Sequence, residues 1–322
     1  MVNIAELSGV DEWLKMRQTI DSKLKTYLGK IPKDSTELQT KVVDEFEHPG
    51  YVRKRINYFV DEWTRISAWL FEPDDPDDKP AVICCHARNR IGKDEPAGAN
   101  EGDPALAFAK HYAEMGYVTL APDCVTAGER IYSKSEPFES KSFYKENPKW
   151  SLLGKMLADH IRAVDVLSDY QGVDPNRIGV MGHGLGGTNA LLLGAFDERI
   201  HAVVASSAFT MLESDKNPAR WTDDDGCVLL PKLKKDIEAG EFGFDWDQVL
   251  ALLAPNPTLV LSSSKDEIFS NAESCEKAVK SAKVVYGKLG AKMALESFSH
   301  ADGHTVTWES QLAADEWMDR WL

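Results

Sequence analysis

Residues 177–187 read Arg-Ile-Gly-Val-Met-Gly-His-Gly-Leu-Gly-Gly. This is an apolar strand running into a helix through a turn with glycine at 182, 184 and 186, a spacing that permits a strained turn and lifts its central residue, Gly184, above the sheet. Two further groups with proton chemistry, Asp266 and His304, each lie just past an apolar strand. Read by themselves they are a turn cap and a loop histidine; read together they are an imidazole with a carboxylate to orient it. Arg88, Arg90, Lys93 and Arg130 fall on loops at the same sheet edge. They could grip a substrate carboxylate bidentately, or pair with nearby acids such as Asp94, Glu95 and Glu129. Cys85 and Cys124 end strands near that edge, where a thiol is either a nucleophile or, more commonly, an inert packing residue.

Positioning such residues requires strands that all deliver their carboxyl ends to one edge. Segments 54–60 and 64–71 alternate in the manner of antiparallel strands, after a helix over 4–28. Beyond a charged, Pro-rich loop at 72–80 the pattern changes to strands at 81–85, 117–122, 177–182, 201–205, 258–263 and 293–298. Helical segments separate them: one opened by Asp103-Pro104 with Phe108, Tyr112 and Met115 on one face, then 152–170, 185–196, a helix opened by a capping box at 270–273 and ending at 286, and 305–322. Such alternation implies an α/β fold with a mostly parallel, doubly wound sheet, antiparallel N-terminal edge strands and sites at the strands' carboxyl ends. The expected division is an N-terminal helical extension, 1–40, and one domain, 41–322, with a lid insertion at about 207–250.

The 322 residues carry 37 Lys plus Arg against 52 Asp plus Glu, a net charge of −15. An acidic surface repels phosphate backbones and anionic headgroups, so neither nucleic acid nor a membrane is an expected partner. Five cysteines without a C-x-x-C pair argue for reduced thiols, and the polar, acidic start 1–17 lacks the pattern of a secretory signal, so the expected location is cytoplasmic. Asp223-Asp224-Asp225 completes no calcium-loop spacing and reads as a solvated turn; neither a metal nor a cofactor is expected. Trp13, Leu14 and Ile20 on the first helix could pack over the pocket or at a subunit interface, which leaves a homodimer open.

The chain resembles the α/β-hydrolase superfamily, in its dienelactone hydrolase and acetyl-xylan-esterase-like branch, from about Thr64 onward. The turn around Gly184 is similar to that family's nucleophile elbow, and the likeness extends through 92–98, 116–123, 264–269 and Gly303-His304. The resemblance implies that Asp266 orients His304 and that His304, in preference to His300, moves protons. It further implies that backbone N–H groups of Leu185 and of Ala87 or Arg88 form an oxyanion hole. Arg88, Arg90, Arg130 and Trp221 are candidate contacts for the substrate, expected to be a small carbonyl compound. His183 and His86 read as packing and loop-shaping residues.

One departure decides the chemistry. Where the family carries a serine, this chain has Gly184, and glycine offers no group for a covalent acyl-enzyme. Three readings follow. If glycine was introduced in place of a natural serine, the activity is ordinary ester or lactone hydrolysis. If glycine is native and the site works, His304 and Asp266 run acid–base chemistry against a backbone oxyanion hole, as a lyase, isomerase, cyclase or water-mediated hydrolase. If catalysis is lost, the pocket of an inactive pseudoenzyme binds a small ligand or a protein partner.

Overall fold

Short runs rich in Val, Leu, Ile and Ala form the strands, and the amphipathic segments between them fold back as helices. The computed structural model describes residues 3–29, 36–75, 77–100, 102–270 and 272–322. Helix α1 (Val10–Leu28) precedes strands β1 (Lys41–His48), β2 (Tyr51–Phe59), β3 (Arg65–Pro73) and β4 (Lys79–Cys85). Then come α2 (Phe108–Glu114), β5 (Val118–Pro122), α3 (Lys141–Glu146), α4 (Leu152–Asp169), β6 (Val173–His183), α5 (Leu185–Phe196) and β7 (Ile200–Ser206). The chain continues through α6 (Leu233–Ala239), α7 (Trp246–Leu253), β8 (Thr258–Ser263), α8 (Ala272–Lys288), β9 (Leu295–His300) and α9 (Trp308–Trp321).

Among the described residues nine strands form one sheet, in the order β1-β2-β3-β5-β4-β6-β7-β8-β9. From β5 to β9 the neighbours are parallel, whereas β2 runs antiparallel to both β1 and β3, and β3 runs antiparallel to β5. Every residue of β5 and β8 is buried, as helices on both faces require of a parallel sheet. Phe108 and Tyr112 of α2 and Trp317 and Met318 of α9 cover one face, and α4, α5, α7 and α8 cover the other. The connection from β4 leaves toward β5 on one side, and the connection from β6 leaves toward β7 on the other. The crevice between these divergent connections, outside the carboxyl ends of β4 and β6, is where an open α/β sheet binds its ligand.

Several local expectations are corrected. Asp103 caps a 3-10 turn, Pro104–Leu106, accepting the Ala105 N–H at 2.9 Å, and α2 begins only at Phe108. Met115 is exposed rather than on the buried face with Phe108 and Tyr112. Strand β1, absent from the sequence expectation, is an edge strand with Val42, Val43 and Phe46 exposed, so its sequence shows no apolar alternation to detect. Helix α1 buries Trp13 and Ile20 and packs on α4, α7 and α8, whereas Leu14 faces solvent. Residue 271 of the anticipated capping box and Pro76 of the charged loop lie outside the described residues.

Candidate active site

Strand β6 ends at His183 and α5 begins at Leu185, so Gly184 alone makes the turn, at φ 56° and ψ −123°. That backbone region is costly for a residue with a Cβ. The turn is tight because α5 starts almost against β4: a Cβ on Gly186 would lie 2.2 Å from the Cys85 carbonyl oxygen. Glycine at 186 is thus a packing requirement. The Gly184 N–H donates to the Ser206 carbonyl at 2.9 Å, tying the turn to β7.

Asp266 and His304 come together beside this turn from loops after β8 and β9. His304 Nδ1 lies 2.9 Å from Asp266 Oδ2 and 3.1 Å from Oδ1, so an ionised Asp266 places the ring hydrogen on Nδ1 and leaves Nε2 as an acceptor. Asp266 is itself held by the backbone N–H groups of Ile268 at 2.9 Å and Phe269 at 2.8 Å. Burial works to raise its pKa, but the His304 and Phe269 hydrogen bonds outweigh this and bring it down to about 2. The His304 N–H donates to Glu267 Oε2 at 3.0 Å, which anchors the loop. A Cβ built on Gly184 would stand 3.2 Å from His304 Nε2 and 3.6 Å from Cε1, and among the described residues no other heavy atom beyond its chain neighbours comes within 4 Å. His304 therefore points its acceptor nitrogen at the space where an elbow side chain would begin.

That space opens into a cavity of about 340 Å³. Residues 66–219 match the profile of the dienelactone hydrolase family. This segment is a dienelactone hydrolase family domain. The Bacillus subtilis (strain 168) protein YtaP, provisionally named a hydrolase, is 26% identical over 250 residues, which cover 76% of this chain and 79% of YtaP. A glucuronoyl esterase from Solibacter usitatus superposes with a TM-score of 0.78 at 17% identity, covering 97% of this chain and 94% of its own. A promiscuous esterase from a marine bacterial metagenome gives 0.77 at 16% identity, with 98% and 94% covered. At such identities the likeness is one of fold, and the fold is the α/β-hydrolase fold.

Within the dienelactone hydrolase domain and the loops that complete its cavity, the other anticipated residues divide. Leu185 and Arg88 line the cavity, and Leu185, first in α5, has a first-turn N–H with no partner inside its own helix. Ala87 also lines it, and its carbonyl accepts from His86 Nδ1 at 2.7 Å and from Asn89 Nδ2 at 3.2 Å. The Arg88 guanidinium pairs with the Asp224 carboxylate and donates to the Asp224 carbonyl at 2.8 Å. Arg90 and Arg130 are corrections, since neither lines the cavity. Arg90 is 76% exposed and 3.4 Å from Glu136, and buried Arg130 donates to Asp159 at 2.8 Å. Lys93 is likewise spent on structure, buried at 2.9 Å from Asp123 and 2.8 Å from Glu129.

Residues 207–257, between β7 and β8, bring Arg220, Trp221, Asp224 and Leu229 to the cavity wall. Trp221 is buried, 5.1 Å between ring centroids from Trp246 and 6.2 Å from Phe269. Sequence reasoning missed several wall residues, two of them Arg220 and Glu95. Arg220 stacks 4.9 Å over Phe269 and donates to Asp215 at 2.8 Å, and Glu95 was considered only as a partner for a neighbouring arginine. Nothing in either local segment announces a cavity contact. His300 ends β9 away from the cavity, 3.9 Å from Asp302. The His183 ring lies 4.4 Å from that of His304, and burial together with that neighbour pushes its pKa down to about 3, so it stays neutral. His86 accepts the Cys124 N–H at 3.0 Å, which locks the strand ends together. Among the described residues no group of three His, Cys, Asp or Glu side chains is arranged to hold a metal ion, and no helix is long and apolar enough to cross a membrane.

Both strand-end thiols are fully buried, and desolvation raises the pKa of Cys85 and of Cys124 well above the ordinary thiol value. A neutral, enclosed thiol is a poor nucleophile. Cys85→Ala and Cys124→Ala should each keep kcat/KM within a few-fold of the parent. Loss of turnover in a folded Cys85→Ala protein would return the thiol to the reaction.

Proposed function

We propose that this protein hydrolyses small carboxylic esters or lactones, with a water molecule in place of the missing serine. The observation that supports the reading most is the opening beside Gly184, with His304 Nε2 only 3.2 Å from where a Cβ would stand. A water there passes a proton to Nε2 as its oxygen forms a bond to the substrate carbonyl carbon. The carbonyl π pair moves onto oxygen, and the oxyanion is received by the N–H groups of Leu185 and Arg88. Collapse of this intermediate breaks the carbon–oxygen bond to the leaving alcohol, which takes the proton back from Nε2. Asp266 remains ionised throughout and holds the ring in the tautomer that the first step needs. The hydrolase name carried by YtaP and the esterase names of the structural neighbours support the reaction class.

The test is turnover of a panel of short-chain aryl esters and lactones by the purified protein in water enriched in oxygen-18. A direct attack by water predicts one heavy oxygen in the acid product within a single turnover, no burst of alcohol and no acyl adduct in the intact mass. No hydrolysis of any panel member above the His304→Ala background would sink the proposal.

A further inference from the structure

The loop after β4 is held by a carboxyl group that the proposed chemistry does not use. Glu95 is only 7% exposed and lines the same cavity as Gly184 and His304. It accepts a hydrogen bond from Asn89 Nδ2 at 2.5 Å. Asn89 is a clasp as well, since its Oδ1 accepts the Gly92 N–H at 2.7 Å and its Nδ2 also reaches the Ala87 carbonyl. Ala87 and Asn89 flank Arg88, whose N–H faces the oxyanion in the proposed reaction. We propose that the Glu95 carboxylate is the positioning group for this loop: by accepting from Asn89, whose amide also holds the Ala87 carbonyl and the Gly92 N–H, it sets the direction of the Arg88 N–H, and its protonation releases that setting. The inference rests on the hydrolytic reading for its consequence, but not for its test.

The surroundings of Glu95 favour a proton taken up near neutrality. No cation pairs with it among the described residues. Its neighbour Lys93 is committed to Asp123 and Glu129, Arg88 to Asp224 and Arg220 to Asp215. The other ionisable groups on the cavity wall are Asp103, His183 and His304, and the negative charge of Asp103 adds to the cost of ionising Glu95. Burial first, and Asp103 with it, raise the carboxyl to about 7 against the Asn89 hydrogen bond that favours the ionised form. A protonated carboxyl loses most of its strength as an acceptor, so the Asn89 clasp loosens and the Ala87 peptide it holds experiences the change.

The experiment is an NMR titration of the deuterated, isotopically labelled full chain from pH 5 to 9, following the Glu95 carboxyl carbon and the Ala87 amide. The expected result is that both signals move with one midpoint near 7, in the parent and equally in His304→Ala, where the neighbouring imidazole is gone. In Glu95→Gln the Ala87 amide should then be flat. An Ala87 amide that ignores pH in the parent, or that still titrates in Glu95→Gln, would overturn the inference. Should Glu95→Gln fail to fold, the coincidence or mismatch of the two parent midpoints decides alone. Ester turnover plays no part in this readout. A titrating amide in a protein without esterase activity defeats only the hydrolytic reading, and a flat amide in an active enzyme defeats only this one.

Discussion

Gly184→Ser should acquire labelling by a serine-directed phosphonate and hydrolyse a short-chain aryl ester at least about 10²-fold faster than the parent, because a covalent relay replaces direct attack by water. The added Cβ stands 3.2 Å from His304 Nε2, so a rotamer that turns the hydroxyl toward the ring brings Oγ within roughly 2.6 to 3.2 Å of it. Asp266, already bound to Nδ1, completes a serine–histidine–aspartate arrangement. Opposing this, a side chain at φ 56° costs on the order of 1–3 kcal/mol, and the 3.2 Å approach asks His304 to give way slightly. Gly184→Ala is the control that carries the same backbone strain without the hydroxyl, and its Tm should fall with that of the serine variant. A folded Gly184→Ser protein that stays unlabelled would show that His304 does not reach the elbow, and would favour a cavity that binds without reacting.

The second large effect falls on the base and its orienting acid. His304→Ala should lower kcat/KM by about 10²–10⁴-fold, the usual contribution of a positioned general base. Asp266→Asn should lose activity on a similar scale, since an amide no longer selects the Nδ1–H tautomer. Asp266 also links the site to stability. Its pKa is depressed to about 2 in the folded chain, so the stabilisation it supplies is present above its unfolded value near 4 and is lost as pH falls through about 2. Denaturant unfolding at pH 7 should therefore find Asp266→Asn less stable than the parent, with the difference closing toward pH 2. Full turnover by both variants, measured on folded protein, would remove His304 and Asp266 from the mechanism.

The elements that carry this site are largely legible in the sequence. Glycine at 182, 184 and 186 marks a tight strand-to-helix turn from a few adjacent residues, and the buried strands β4 to β8 are short apolar runs whatever surrounds them. Asp266 and His304 could be placed on loops past such runs for the same reason. Strand β1 was invisible because an edge strand with both faces exposed needs no apolar alternation. The start of α2 was misplaced because Asp103-Pro104 caps a 3-10 turn as readily as an α-helix.

What a short segment dictates was therefore readable: which apolar runs form the buried strands and where glycine makes a tight turn, although the ends of β2, β6 and β9 shift by two or more residues. The tertiary structure decided which charges face the cavity. Arg88 meets an aspartate 136 positions away, Arg130 is buried against Asp159, and Arg220 arrives from the 207–257 connection. It also decided that Glu95 is enclosed with no cation paired to it among the described residues and that His304 Nε2 stops 3.2 Å from the Gly184 Cβ position. These quantities depend on burial and on distances between segments far apart in the chain. Desolvation and Coulomb energies follow the folded arrangement of charges rather than their order in sequence.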